Sequence, residues 1–598
     1  MSPHPSLPCP TRHSRSIAVL FSASLLLATV LAPHASLAQR QLVEPEATTT
    51  RVEGALVRSQ KFMIATSSRV ASEAGQAMLR AGGSAVDAAI AAQLVLGLVE
   101  PQSSGLGGGA FLLHWNNAHS RLIAYDGRET APAAAKPDRF LSNGTPMPFE
   151  RAVHSGLSIG TPGLVRLLKA AHEAHGKLPW PQLFQPAIQL ARDGFTVTPR
   201  LHLLLQITGA GAFDATAKCY YFDETGSPRA AGSVIRNAEY AATLQMIADK
   251  GPDGFYSGPV ADAIVAAVAK APNVPGDLSA GDLAGYKIET RDPVCITYRA
   301  YKVCSMGPPS SGGIAIAQIL GLLAPFDLGR VTDGRLPPEG VHLILEAEKL
   351  AYADRGRYLA DPAFVPIPSG LIDPAYLDDR RKLIDPNKAM TAPEPGLPPG
   401  LAQRTHGVDA TLETTGTSHI SVIDADGNAV AMTTTIEGVF GSGIMAAGFL
   451  LNNELTDFSF VPADKDGRPI ANRVEAGKRP RSTMAPTIVF DDKGRVFAVA
   501  GSPGGGRIIM FVTKALIGLM DWKLDAYQAA ALTNFGSMGA DADLESDWQS
   551  ILLGLRLKSY GQSLNVDLMN SGLNILTRRD GIIEGGSDPR REGAALGD

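Results

Sequence analysis

Two threonines, Thr417 and Thr435, carry the most specific chemistry in this chain of 598 residues. Residues 415–435 read T-G-T-S-H-I-S-V-I-D-A-D-G-N-A-V-A-M-T-T-T. A Gly-Thr pair stands directly before an alternating hairpin, and a second Thr lies where the return strand should meet the first. A protein that cuts its own backbone ahead of Thr417 would free an α-amine, which titrates near ~8 and can serve as general base for the neighbouring hydroxyl. Asp424 and Asn428 flank Ala425-Asp426-Gly427, a three-residue loop with Gly in its left-handed position. Pairing Asp424 with Asn428 sets Thr417 opposite Thr435, within a shift of about one residue for a bulge. The competing explanation is that threonines favour strands. Neighbouring motifs decide between the two.

The elements that must position this hairpin are legible in outline. A strand at 62–66 precedes a helix, Gly82-Gly83 and a second helix. In that helix Ala85–Leu94 is apolar nearly all round, as in a buried helix. Strands follow at 111–113 and 122–125, the latter ending at Asp126-Gly127-Arg128-Glu129. Residues 160–285 read as largely helical, and a helix is predicted over 314–323. The Pro-rich run 385–403 is predicted to be an extended, exposed tether leading to Thr417. Beyond it come strands at 418–424, 429–436, 447–452, 485–490 and 495–501, then helices over 507–519 and 524–532. This segregation predicts α+β layers rather than a βαβ repeat.

Residues 1–38 read as an export signal: Arg12 and Arg15, an apolar core from Ile17 to Ala32, and Ser36-Leu37-Ala38 ahead of Gln39. The expected location is the periplasm or the medium. Removing the signal takes two positive charges from a formal net charge of -5, leaving about -7, an ordinary value for a soluble surface. With no basic tract and no zinc-finger spacing, nucleic acid is excluded as a partner. Cys219 reads as solitary. Cys295 and Cys304 flank a hairpin around Arg299-Ala300 that pairs 298 with 301 and makes 295/304 a non-hydrogen-bonded pair, a spacing that suits a cross-strand disulfide. The alternative is two small buried hydrophobes.

Several separated motifs together resemble the γ-glutamyltranspeptidases, exported N-terminal-nucleophile hydrolases: A-V-D-A-A-I-A-A at 85–92, P-Q-S-S-G-L-G-G-G at 101–109, P-P-S-S-G-G at 308–313, T-S-H at 417–419, L-L-N-N-E at 450–454, K-R-P at 478–480 and G-S-P-G-G at 501–505. The resemblance spans about residues 60–590. It implies a four-layer αββα sandwich built by two chains from one precursor, a large subunit 39–416 and a small catalytic subunit 417–598. It implies cleavage between Gly416 and Thr417, with Thr417 as processing centre and nucleophile and Thr435 as its hydroxyl partner. Gly504 and Gly505 would supply oxyanion-hole amides. Arg128, with Ser482 and Thr483, would hold the substrate α-carboxylate, and Glu437, Glu454 and Asp457 its α-ammonium. The implied reaction passes the γ-glutamyl group of glutathione and related amides to water or to amino acids and peptides, with no metal and no organic cofactor.

Some positions depart from the family pattern. Glu437 stands where many members carry Asn, and Thr483 replaces a second Ser. The stretch 458–477 is short and lacks Tyr, which implies an open site without a full lid and favours hydrolysis or a non-standard acyl group. Two other readings stay open: a glutaryl- or cephalosporin-type acylase of the same fold, and a non-catalytic exported binding protein. His172 and His175 lack the His-Glu-x-x-His zinc spacing and read as surface residues of a helix. His419 reads as a packed histidine behind the site. Ser310-Ser311 lacks a Gly-x-Ser-x-Gly elbow. The glycines at 501–506 lack the Lys-Ser/Thr of a phosphate loop.

Overall fold

The hairpin forms in the predicted register. Thr417–Ile423 pairs antiparallel with Ala429–Thr435, from Thr417 opposite Thr435 to Ile423 opposite Ala429, without a bulge. Gly427 turns the loop at φ +80°. In the computed structural model, which describes residues 54–401 and 405–598, this hairpin occupies the middle of a seven-stranded antiparallel sheet. The order is Ala594–Gly597, Met63–Thr66, Thr417–Ile423, Ala429–Thr435, Gly109–Asn116, Arg121–Gly127 and Glu289–Arg291. The export signal read at 1–38 lies outside the described residues.

A second seven-stranded antiparallel sheet runs Val57–Ser59, Ile582–Ser587, Asn574–Arg579, Val496–Gly501, Thr487–Phe490, Tyr301–Ser305 and Val294–Tyr298. Alternation sorts the side chains between layers. Ile420, Val422, Val430 and Met432 face the helices Arg69–Arg80 and Ala85–Val99. Ala429, Ala431, Phe111 and Leu113 face the second sheet. That sheet is covered on its far side by Gly312–Leu323, Pro338–Tyr358 and Ile508–Met520. The result is the αββα stack. Each sheet takes strands from both sides of the Gly416–Thr417 bond, so a cut there leaves two interleaved chains held by shared ladders and cores.

The hairpin is anchored at its turn as well as along its length. Ser84 caps the helix Ala85–Val99 in a capping box with Asp87, and the Ala85 amide at that helix start donates to Asp424 Oδ2 at 3.0 Å. A carboxylate there suits the positive end of the helix. The Cys295–Cys304 pair is bonded, directly cross-strand, with the Cα atoms 4.1 Å apart.

Three expectations change. The strand read at 447–452 shrinks to Phe449–Leu450 paired with Met445–Ala446, because Ala447 and Gly448 both take positive φ and close a tight turn. The described part of the run 385–403, residues 385–401, forms no helix or strand but is no free tether: it is pinned along the helix Pro338–Tyr358. His342 and Lys349 donate to the Asp385 and Met390 carbonyls. Asp354 accepts from the Gly396 amide and Tyr358 donates to its carbonyl. Further on, Arg357 holds the His406 carbonyl and Gly356 the Asp409 amide. Finally, His172 and His175 are half-buried, not surface residues: His172 bonds the Leu178 carbonyl, while His175 meets the Tyr125 hydroxyl and stacks on His114.

Candidate active site

Thr417 sits at the buried end of its strand with its side chain towards the inter-sheet layer. Its Oγ1 lies 3.4 Å from Thr435 Oγ1. A hydroxyl has one proton to give, and Thr435 gives its own to the Gly416 carbonyl at 2.7 Å while accepting from the Glu437 amide at 2.8 Å. Thr417 is therefore the donor towards Thr435. The carbonyl ahead of Thr417 is polarised by one threonine and flanked by the hydroxyl of the other. Gly416 is required by space: a Cβ there would lie 2.4 Å from the Glu437 carbonyl oxygen and 2.5 Å from Gly438. Glu437 itself holds φ +76°, a strained value for a non-glycine residue of the kind found at functional sites. Behind the pair, His419 bridges Thr433 and Ser421, and burial pushes its imidazole down to about 3. It is a neutral packing histidine, as the strand position implied.

Arg128 directly follows the strand Arg121–Gly127 and is fully buried. Its Nη1 bonds Glu454, its Nη2 bonds Asp457 at 2.5 Å and the Arg481 carbonyl at 2.9 Å, and its Nε bonds the Pro480 carbonyl at 3.2 Å. The predicted carboxylate clamp and two predicted ammonium acids thus meet as one internal ion cluster. A substrate carrying both charges can take the place of each half for the other. Glu437 accepts from Thr414 and Asn453. Of the predicted hydroxyl donors, Ser482 Oγ accepts from the Met484 amide and Thr483 donates to the Gly505 carbonyl at 2.6 Å. Thr483 therefore fixes the glycine turn. Gly504 and Gly505, at φ +142° and +52°, lead into the helix Ile508–Met520.

Sequence reasoning missed Glu129, although it adjoins Arg128. Glu129 lies against Glu454, and neither of its oxygens finds another partner among the described residues. Two carboxyls in contact share a proton. Burial, with the nearby Asp457 charge, pushes Glu129 up to about 8 against the pull of Arg128. Burial, with the Glu454 charge, pushes Glu437 up to about 7. Glu454 and Asp457 also stand well above the ordinary carboxylate range, chiefly through burial.

These directions fix a pH dependence. Raised carboxyls keep protons in the folded chain that the unfolded chain has already lost. Their contribution to stability is then full below about 4.5 and is lost as pH rises to about 8. For the Thr417→Ala chain, the melting temperature should drop between about pH 6.5 and pH 8; below that range His419 and His114, held low by burial, act in the opposite direction. Glu437→Gln in that background should flatten the slope. A slope in Glu437→Gln equal to that of its parent would remove the buried-acid assignment. Asp588, which burial would raise but Arg590 and Lys514 hold below its ordinary value, adds loss only on the acid side.

The mouth of the site is filled by the chain itself. Glu413 and Thr414 line it together with Arg128, Thr417, Thr435 and Gly505, leaving about 20 Å³, room for one water. Thr414 covers Gly505 so closely that a Cβ on Gly505 would meet its carbonyl oxygen at 2.1 Å. The stretch 458–477 packs to one side, with Phe460 stacked on Phe140. With the Gly416–Thr417 bond intact, the mouth of the site is plugged by residues 413–414.

The profile of the gamma-glutamyltranspeptidase family matches residues 71–598. The glutathione hydrolase proenzyme of Escherichia coli is 38% identical over 546 residues, covering 89% of this chain and 91% of that one. The Acylase ACY 1 proenzyme of Pseudomonas sp. is 31% identical over 544 residues, covering 89% and 93%. Among solved structures, a cephalosporin acylase from Bacillus halodurans superposes with a TM-score of 0.80 at 25% identity, covering 95% of this chain and 99% of that one. The gamma-glutamyltranspeptidase of Helicobacter pylori gives 0.53 at 33% identity, covering 60% and 99%. By sequence along nearly its whole described length, and by the αββα stack, the chain belongs to the γ-glutamyltranspeptidase family.

Proposed function

We propose that this chain cuts itself between Gly416 and Thr417 and then acts as a γ-glutamyl hydrolase and transferase on glutathione and related amides. The observation that carries the reading is the Thr435 hydroxyl on the Gly416 carbonyl, with Thr417 Oγ1 beside it. Thr417 attacks that carbonyl, the amide nitrogen leaves in an N→O shift, and water hydrolyses the ester. Residues 39–416 and 417–598 become two chains of one domain. The freed α-amine then takes the Thr417 hydroxyl proton as Oγ1 attacks a γ-glutamyl carbonyl. The Gly504 and Gly505 amides hold the oxyanion, where one donor is worth about 3 kcal/mol. The leaving amine takes the proton, and water or an amino-acid amine resolves the acyl-threonine. Arg128 and Ser482 serve the α-carboxylate end, Thr483 holds the Gly505 carbonyl and so the glycine turn, and Glu437, Glu454 and Asp457 serve the α-ammonium end.

Two consequences are measurable. Thr435→Ala should slow self-cleavage about a hundredfold, the effect of losing one donor to a developing oxyanion, while Thr435→Ser should restore it. The time course of fragment appearance reads this directly, and an unchanged rate removes the assigned role. Turnover of γ-glutamyl-p-nitroanilide against glutaryl-p-nitroanilide tests the substrate class. The acylase relatives make glutaryl the natural rival, and the buried acids around Arg128 favour an acyl group with an ammonium. Faster glutaryl cleavage would reverse the choice. A non-catalytic binding role is the outcome if the protein stays uncut and turns over neither. Export to the periplasm or medium is supported by the leader pattern at 1–38 and the 295–304 disulfide. Among the described residues no helix is long and apolar enough to cross a membrane.

A further inference from the structure

Arg355 and Arg481 form a buried cation pair beside the site that the reaction above does not use. Arg355 donates Nε to Ser311 Oγ at 2.8 Å and Nη2 to Glu413. Arg481 Nη2 lies 3.3 Å from the same Glu413 oxygen and 3.0 Å from Asp409. Arg481 is 1% exposed, yet its Nε and Nη1 find no hydrogen-bond partner among the described residues. Both arginines are fixed by the frame rather than by the plug. Arg355 lies on the helix Pro338–Tyr358, and Arg481 is held by its own amide on Asn472 and its carbonyl on Arg128.

In the uncut chain, two cations face two anions and the cluster is neutral. Glu413 belongs to the segment that plugs the mouth, and no substrate reaches Thr417 until that segment moves. Its departure leaves Arg355 and Arg481 against Asp409 alone, one positive charge in excess in a buried place. An uncompensated buried cation is costly and recruits an anion. The path of the plug shows where that anion lies. Thr415 and Gly416 are buried, Glu413 and Thr414 half-buried, and Leu412 exposed. The segment therefore runs outward. A donor whose glutamyl end is anchored at the interior Arg128 cluster must send its amine portion along the same way out.

We propose that Arg355 and Arg481 form a second anion subsite, filled by Glu413 before cleavage and afterwards by a carboxylate on the amine side of the substrate. The site takes donors and acceptors that end in a free carboxylate and discriminates against their amides. This inference rests on the γ-glutamyl reading, and its test keeps the two apart. Turnover of γ-glutamyl-p-nitroanilide, which carries no carboxylate on its amine side, establishes the parent reading; without it that reading fails. The donor arm then compares hydrolysis of glutathione with its C-terminal amide. The acceptor arm compares transfer to glycylglycine with transfer to glycylglycinamide. Wild-type protein should favour the free acid at least about tenfold in kcat/KM, the scale of a charge-assisted bond, in whichever arm uses the subsite, and the preference should weaken with salt. Arg481→Leu should bring that ratio to near 1. If Arg481→Leu fails to mature, the wild-type ratios and their salt dependence still decide. Equal rates for acid and amide in both arms overturn the proposal, as does a preference that survives in Arg481→Leu.

Discussion

Thr417→Ala should remain a single polypeptide and lose at least about 10⁴ in turnover, the scale seen when an activated nucleophile is removed. Both losses come from one atom. Oγ1 is the group placed to attack the Gly416 carbonyl, and the α-amine that would activate it in catalysis exists only after that attack. The substitution should leave folding intact, because Thr435 still reaches Gly416 and the ladder from 417 to 423 is backbone-made. Thr417→Ser keeps the hydroxyl and should still cut itself and turn over, with both rates reduced by the freer rotamer. Electrophoresis and a γ-glutamyl chromogenic assay on the same preparations separate these outcomes. An uncut Thr417→Ala protein with near wild-type turnover would contradict the assignment.

Arg128→Ala should lower kcat/KM for γ-glutamyl substrates by about 10²–10⁴, the range for breaking a buried hydrogen-bonded charge pair. The loss should appear mainly in KM, since the guanidinium meets the far end of the substrate and not the reacting carbonyl. Glu454 and Asp457, stripped of their cation, would take up protons and lose their hold on the α-ammonium. Arg128→Lys should recover only part of this, because an ammonium cannot span the two acids and the two carbonyls that the planar fork reaches at once. Self-cleavage should proceed in Arg128→Ala, since the Gly416 carbonyl is held by Thr435. Should cleavage stop as well, Arg128 builds the processing site, and its assignment to the substrate carboxylate is wrong.

What the sequence discloses follows the range of the forces involved. The central hairpin is local. Gly427 fixes the turn, alternation fixes the faces, and together they set Thr417 against Thr435 to the residue. The same holds for the capped helix at 85 and the Cys295–Cys304 ladder. Roles for Glu437, Glu454, Asp457 and the Gly504-Gly505 turn come from family resemblance; no local pattern carries them. Their meeting with Arg128 depends on four segments far apart in the chain converging. The Glu413–Arg355–Arg481 cluster is invisible for the same reason: its members lie on a plug, a helix and a loop far apart in the chain. Thr483 shows how a role can change with context, since its hydroxyl is spent on Gly505. Other misses had a signal. Asp580-Gly581, both at positive φ, is a strong hairpin turn between the strands 574–579 and 582–587, and Glu129 adjoins Arg128. The plugged mouth could not be read from the short 458–477 stretch, because the plug is supplied by residues on the other side of the site.

The most direct measurement is the intact mass of the mature protein together with the N-terminal sequence of each chain. The account predicts a small chain beginning Thr-Ser-His-Ile, carrying just under a third of the precursor's 62.8 kDa, in a preparation that cleaves γ-glutamyl-p-nitroanilide. A fully active preparation in which the bond between Gly416 and Thr417 is intact would contradict it.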